Sequence, residues 1–275
     1  MSLARKVVVI TGSTRGIGRA IAEECSRRGA TVVVSSRRAD AVGRAVDEIG
    51  ALNPGGADAV SGIPADVSLF DDVIALRDHT LATHGRIDVW LNNAGVSNGY
   101  RPMDEEGADE IEALVAINLI GHMYGAKAVI PHFREHGGYL MNMCGRGWKG
   151  EATAYTAAYA ASKAAIASLT KSLAAENKDC GNVSVNAFVP GMVDTDFYVD
   201  ITCSPRLEAT KGNIRLALEA FGTPLSEVGA RCADLLEAAP GATTGRIYPL
   251  LKAGRLIRGG AKMAWWGLSG RMKRG

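Results

Sequence analysis

The chain has 275 residues, 47% of them hydrophobic and 22% charged, with 33 Gly and 9 Pro; this excludes a disordered chain and suffices for one large α/β domain with a sizeable core. A formal net charge of +2 excludes the chain-wide positive field of a nucleic-acid binder. Five scattered cysteines without a Cys-x-x-Cys pair exclude a disulfide framework or a cysteine zinc site, and fit reduced thiols in a cytosolic protein.

No apolar run approaches about 18 residues and no secretory apolar region opens the sequence, so a cytoplasmic protein without a transmembrane helix is expected. Residues 6–11 (KVVVIT) are a β-branched run suited to a strand buried on both faces. They lead into Gly12-Ser13-Thr14-Arg15-Gly16-Ile17-Gly18 and a helical stretch over 19–28. Strand, glycine turn and helix in that order bring a phosphate to backbone N–H groups at a helix N-terminus. Gly12, Ser13, Arg15, Gly16, Ile17 and Gly18 are therefore ligand-binding candidates. A second strand at 31–35 ends in Ser36-Arg37-Arg38, with no carboxylate before Asp40. Helices at 39–50 and 69–84 and strands at 59–64 and 87–91 follow, the last opening into Asn92-Asn93-Ala94-Gly95.

A long helix is expected over 110–135. His132 and His136 lie four apart, a spacing that can bind a metal. No third ligand is evident, so the expectation is an exposed helix end and no metal site. A strand at 138–143 precedes the alanine-rich stretch 153–176, where nothing between Glu151 and Ala175 breaks a helix. Tyr159 and Lys163, four apart, share a face there. An ammonium beside a phenol stabilises the phenolate and lowers its pKa from about 10, which makes the pair a general acid–base unit.

Residues 183–189 read as a strand closed by Pro190-Gly191, and 226–238 as a helix with Ser226 as N-cap. The last strand, 245–251, contains Pro249 and so belongs at a sheet edge. No Asp or Glu follows Glu237, while eight Lys or Arg do. The tail, 252–275, combines seven of those basic residues with Trp265-Trp266, a mixture that fits a membrane surface or an acidic partner. Glycines at 254, 259, 260, 267 and 270 argue against a continuous helix; a solvated or partner-packed tail is the favoured reading. Strands alternating with helices predict one doubly wound parallel sheet of about seven strands with helices on both faces.

Thr11-Gly12-x-x-x-Gly16-Ile17-Gly18, Asn92-Asn93-Ala94-Gly95, Tyr159-x-x-x-Lys163 and Pro190-Gly191, in that order, resemble the short-chain dehydrogenase/reductase family over about residues 4–251. The resemblance implies a Rossmann-type catalytic domain over 1–251, with a substrate lid at about 194–224. It implies an oxidoreductase moving a hydride between NADP(H) and a carbonyl or alcohol substrate. Tyr159 would be the general acid/base. Lys163 would lower its pKa and bind the nicotinamide ribose, and Asn118 would order a relay water. Asp66 and Val67 would meet the adenine; Asn93, Ala94 and Gly95 would line the cofactor; Pro190, Gly191, Val193 and Thr195 would lie at its nicotinamide end. Ser36, Arg37 and Arg38 with Arg15 suit a ribose 2′-phosphate, which favours NADP (NADPH) over NAD. A homodimer or homotetramer is expected, although the family's acidic-glycine ending after the last strand is absent.

One position departs from the family. The serine that usually stands three residues after Asn142 is Gly145 here. Losing one donor to a developing oxyanion costs on the order of 3 kcal/mol. Tyr155, Thr156 and Arg146 are candidate substitutes, and Gly145, Arg146 and Tyr155 form the expected substrate-facing set. Cys144, one residue earlier, is a weak donor. An impaired protein that keeps the nucleotide site for regulation or scaffolding is the alternative.

Overall fold

The computed structural model describes residues 2–195, 203–251, 253–269 and 271. Phe197, Tyr198 and Ile201 of the expected lid, and Lys252, Lys273 and Arg274 of the tail, lie outside the described residues. Seven strands are described: β1 (Val7–Thr11), β2 (Thr31–Ser36), β3 (Val60–Pro64), β4 (Val89–Asn92), β5 (Gly138–Met143), β6 (Val183–Val189) and β7 (Ile247–Pro249). They form one parallel sheet ordered β3-β2-β1-β4-β5-β6-β7. The order reverses between β1 and β4, so a crevice opens at the carboxyl ends of those two strands, where such sheets bind ligands.

Helices cover both faces: α1 (Gly16–Arg27), α2 (Ala39–Gly50), α3 (Phe70–His84), α4 (Ala108–Val115), α5 (Gly121–His136), α6 (Ala157–Glu176), α7 (Lys211–Phe221), α8 (Leu225–Leu236) and α9 (Ala253–Leu268). Successive strand residues point to opposite sides. Val8, Ile10, Val32 and Val34 pack with Ile21, Cys25, Val42, Ile49 and Val228 on one side. Val7, Val9, Val33 and Trp90 pack with Leu76, Val129 and Phe133 on the other. Burial on both sides is why β1 and β2 are unbroken valine runs rather than alternating ones. At the edge, β7 pairs only with β6 and carries Pro249 opposite Val189, as its proline requires.

Four expectations are corrected. The long helix of 110–135 contains a π-turn, Ala116–Ile120, between α4 and α5. The whole helical stretch Ala108–His136 is long and apolar enough to cross a membrane by length and composition, unlike the sequence expectation. Half of its apolar 18-residue window is buried, and Ala126, Val129, Ile130 and Phe133 pack against the sheet. The N-cap of α8 is Pro224 rather than Ser226, which lies inside the helix. The bridge between Val193 and Thr223 holds the preceding residue extended, and Pro224 turns the chain into the helix from there. The tail glycines do not interrupt α9, which is continuous from 253 to 268. Gly259 faces α7 so closely that a Cβ would overlap the Phe221 ring. Tertiary packing overrides the propensity of that glycine.

Candidate active site

The turn after β1 is fastened to the turn after β4. Thr11 Oγ1 accepts from the N–H groups of Asn93 (3.0 Å) and Ala94 (3.1 Å). Asn93 Nδ2 donates to the carbonyls of Thr11 (2.9 Å) and Gly12 (3.1 Å). A Cβ on Gly18 would overlap both Asn93 Nδ2 and the Gly12 carbonyl, so only glycine lets α1 enter there. Arg15 is the N-cap of α1 and its side chain does not cap the helix, and the first turn carries no acid. The free N–H groups of that turn face a cavity and form a ready anion site.

The cavity has a volume of about 1800 Å³, well above the usual 300–1,000 Å³ of a single small-molecule pocket, so it has room for a dinucleotide and a second molecule. Gly12, Arg15, Gly16, Ile17, Gly18, Ser36, Arg37, Arg38, Asp66, Val67, Asn93, Ala94, Gly95, Pro190, Gly191, Val193 and Thr195 all line it, as do Gly145, Arg146, Tyr155, Tyr159 and Lys163. Ser13 does not. Its hydroxyl is turned into the sheet, donating to the Ile10 carbonyl at 2.7 Å and accepting from Ser35 N–H at 3.0 Å. Thr14 takes the wall position instead. Ser36 Oγ, at the end of β2, is buried with no hydrogen-bond partner, an orphan acceptor and donor in the wall of the cleft. Asp40 is not available to a ribose. Arg38 (2.6 Å) and Arg44 (3.1 Å) hold it, and Arg38 above all keeps its carboxyl well below the usual carboxylate range. These residues fit a nicotinamide dinucleotide: an uncapped helix N-terminus for the pyrophosphate, and an orphan hydroxyl with cations beside the adenosine end.

At the other end, α6 carries Tyr159 and Lys163 into the cavity. Lys163 is 3% exposed, and burial pushes its ammonium down to about 8. Its Nζ donates to the Met143 carbonyl at 3.2 Å and lies 5.5 Å from the centroid of the Tyr159 ring. Gly145 sits directly opposite. A Cβ at 145 would overlap the Tyr159 hydroxyl, so the phenol occupies space that a serine side chain would need. Cys144 offers no replacement donor. It packs with Ile166, Ala167, Ala187 and Val189, its thiol points 3.9 Å from the Lys163 carbonyl, and burial pushes its pKa up to about 11.

Asn118 is fully buried in the π-turn and does not line the cavity. Both ends of its amide are taken by Val96, accepting from the N–H at 2.8 Å and donating to the carbonyl at 2.9 Å. It therefore anchors the strand-end loop behind Gly95, where a Cβ would stand 3.6 Å from Lys163 Nζ. The His132 and His136 rings lie 4.5 Å apart between centroids, tilted at 50° to each other, at the end of α5, and the described residues contain no group of three or more His, Cys, Asp or Glu side chains that could hold a metal.

Sequence reasoning named Tyr155 and Arg146 but missed the rest of the aromatic and polar wall around them. Tyr100 and Tyr155 meet edge-to-face at 5.1 Å, and Ser97, Trp148, Lys149 and Arg206 join them around the cavity. Tyr155 holds φ at +65°, which keeps residues 153–156 out of α6 and starts the helix at Ala157. Also missed was a buried polar chain. Asn92 accepts from Trp90 Nε1 (2.8 Å) and donates to the His122 carbonyl (3.1 Å) and Asn142 Oδ1 (3.0 Å); Asn142 in turn donates to Thr170 (3.0 Å). It ties β4, β5, α5 and α6 beneath the site. The His122 ring is pushed down to about 3 by burial, with the Lys163 charge adding to the effect, so it is neutral.

Residues 6–204 match the model of the short chain dehydrogenase family. Chlorophyll(ide) b reductase NOL from Oryza sativa subsp. japonica is 40% identical over 198 residues, covering 70% of this chain and 57% of that protein. The chain spans about half the length of the chlorophyll(ide) b reductases it matches. L-fucose dehydrogenase from Mus musculus is 32% identical over 94% of this chain and 89% of its own. The structure of 3-ketoacyl-(acyl-carrier-protein) reductase from Brucella melitensis complexed with NADH superposes with a TM-score of 0.78, at 25% identity, over 90% of this chain and 98% of that one. With a family match across most of the sheet and the nucleotide crevice at its switch point, the chain belongs to the short-chain dehydrogenase/reductase family of nicotinamide-dependent oxidoreductases.

Proposed function

We propose that the protein is an NADP(H)-dependent oxidoreductase interconverting a carbonyl and an alcohol, with Tyr159 as the general acid and base. The observation that carries this reading is the Tyr159–Lys163 pair at one end of the cavity whose other end is the uncapped α1 N-terminus. Bound there, the nicotinamide supplies or accepts the hydride. Tyr159 gives its proton to the carbonyl oxygen in reduction and removes it in oxidation. The Lys163 ammonium favours the phenolate, because a nearby opposite charge stabilises the ionised form. Asn118 is a positioning residue that fixes the loop between β4 and the substrate wall. The preference for NADP rests on Arg15 and Arg37, on the orphan Ser36 hydroxyl, and on Asp40 being engaged by arginines.

Relatives named for chlorophyll(ide) b and for L-fucose differ widely in substrate, so substrate chemistry is read from the cavity wall. Tyr100, Tyr155 and Trp148 suit an apolar or aromatic body, and Arg146 suits an anionic group on it. Tyr155 or Ser97, both in the cavity wall, supplies the hydroxyl that Gly145 lacks. The test is NADPH oxidation against a panel of aldehydes and ketones, with and without a carboxylate. Tyr159→Phe should lose on the order of a hundred- to ten-thousandfold in turnover while still binding NADPH. Undiminished turnover in that variant, or faster reaction with NADH than with NADPH, would refute the corresponding part.

A further inference from the structure

Helix α9 is apolar on two opposite faces, and only one of them is covered by the chain. The inner face packs on α7 through Gly259 and Trp266, the latter 1% exposed. Lys262 and Arg271 each place their charge 4.7 Å from the Trp266 ring centroid and pair with Glu219. Arg255 fixes the start of the helix with two hydrogen bonds to Glu227, at 3.0 and 2.8 Å. The outer face repeats at helical spacing: Ile257, Ala261, Ala264, Trp265 and Leu268 form one stripe. Ile257 is 72% exposed, Trp265 64% and Leu268 90%. A surface helix ordinarily turns its polar side outward, and a contiguous apolar stripe marks a surface that is buried by something else.

Charge identifies the occupant. Arg258 flanks the stripe and donates to the Gly254 carbonyl, with no acidic partner among the described residues. No acid follows Glu237 anywhere in the sequence. A second copy of the chain would bring two acid-free, basic termini together, whereas an anionic bilayer complements them. Trp265 has the amphipathic ring that settles at headgroup level. Leu256, on the same helix but off the stripe, lines the active-site cavity, so the helix borders that cavity. We propose that α9 seats the protein on an anionic lipid surface, with Ile257, Trp265 and Leu268 entering the interface and Arg258 meeting lipid phosphates.

The experiment is co-sedimentation of the full chain with vesicles of phosphatidylcholine alone and with about a third phosphatidylglycerol added. The expected result is pelleting with the anionic vesicles, weakened about tenfold by removing the anionic lipid or by adding about 0.5 M salt. The combined Ile257→Ser, Trp265→Ser and Leu268→Ser variant should lose about tenfold or more in binding while keeping the wild-type melting temperature. The single variant Arg258→Glu should lose anionic-vesicle binding with every stripe residue intact. A chain that stays in the supernatant with both vesicles would overturn the proposal. So would a triple variant that pellets like wild type, or a dimer in light scattering that the triple variant abolishes in the absence of vesicle binding.

Discussion

The two ends of the cavity are built in different ways. The nucleotide end is assembled from strand-end turns fastened to one another, as Thr11 and Asn93 bind the backbones of each other's loops and Gly18 fits against both. The substrate end is assembled from side chains on separate loops and helices: Tyr100, Tyr155, Trp148, Arg206 and Leu256 meet only at the cavity wall. Side chains that clamp one turn's backbone to another's tolerate little change, whereas a wall of side chains on loops can be altered while the sheet stays the same. One fold can thereby hold a fixed cofactor and serve many substrates.

That contrast is most easily broken at Gly18. Gly18→Ala forces a methyl group into Asn93 and the Gly12 carbonyl. It should cost about 1–3 kcal/mol of stability and abolish dinucleotide binding, read by calorimetry and thermal melting; a variant that binds normally would show that the turn yields. Next comes Gly145→Ser, which restores the family's usual residue but overlaps the Tyr159 hydroxyl. Displacing the phenol by about an ångström should lower turnover about a hundredfold with NADPH affinity unchanged. A rise in turnover would mean that the ring swings aside without cost.

A pH measurement probes the seam between the two ends. Burial lowers Lys163 from its ordinary 10.5 to about 8. Between those values the unfolded chain holds a proton that the folded chain has released, so the unfolded state binds more protons and stability rises with pH. Below pH 8 both states are protonated and the cost of burying the charge is present in full. Chemical denaturation of the ligand-free protein should therefore show a gain across pH 8 to 10.5 that Lys163→Met lacks; parallel profiles would place the ammonium in a wetter site. The smallest effect is expected at Arg37, exposed at the rim of the nucleotide end. Arg37→Ser should reduce the preference for NADPH over NADH about tenfold, the value of one charge-assisted contact to phosphate, as read from the ratio of kcat/KM values.

Features carried by neighbours in sequence were legible before the fold was known. Tyr159 and Lys163 are one helical turn apart, and the glycine loop follows its strand directly, so local order made each legible, while the family resemblance brought the two to one cleft. Side-chain direction within a loop was not legible: Ser13 and Thr14 are adjacent, and only the hydrogen bonds to Ile10 and Ser35 decide which of them faces the cavity. Asn118 was located by position, but its amide is engaged by Val96, a partner 22 residues away. The glycines of α9 misled for the same reason. Gly259 reads as a helix breaker until Phe221 is seen lying against it. Contacts distant in sequence leave no periodic trace.

The π-turn at Ala116–Ile120 has a bearing on how this gene can change. Each helical residue advances the rotation by about 100°, and the widened turn inserts one extra residue between α4 and α5. Removing a single residue there would spin Ala126, Val129 and Phe133 away from the sheet and carry Asn118 off Val96 together. Point substitutions along the outer side of α5 should be absorbed, while insertions and deletions of one residue in this stretch should be purged. Variation in length is expected instead in the loops at the cavity mouth.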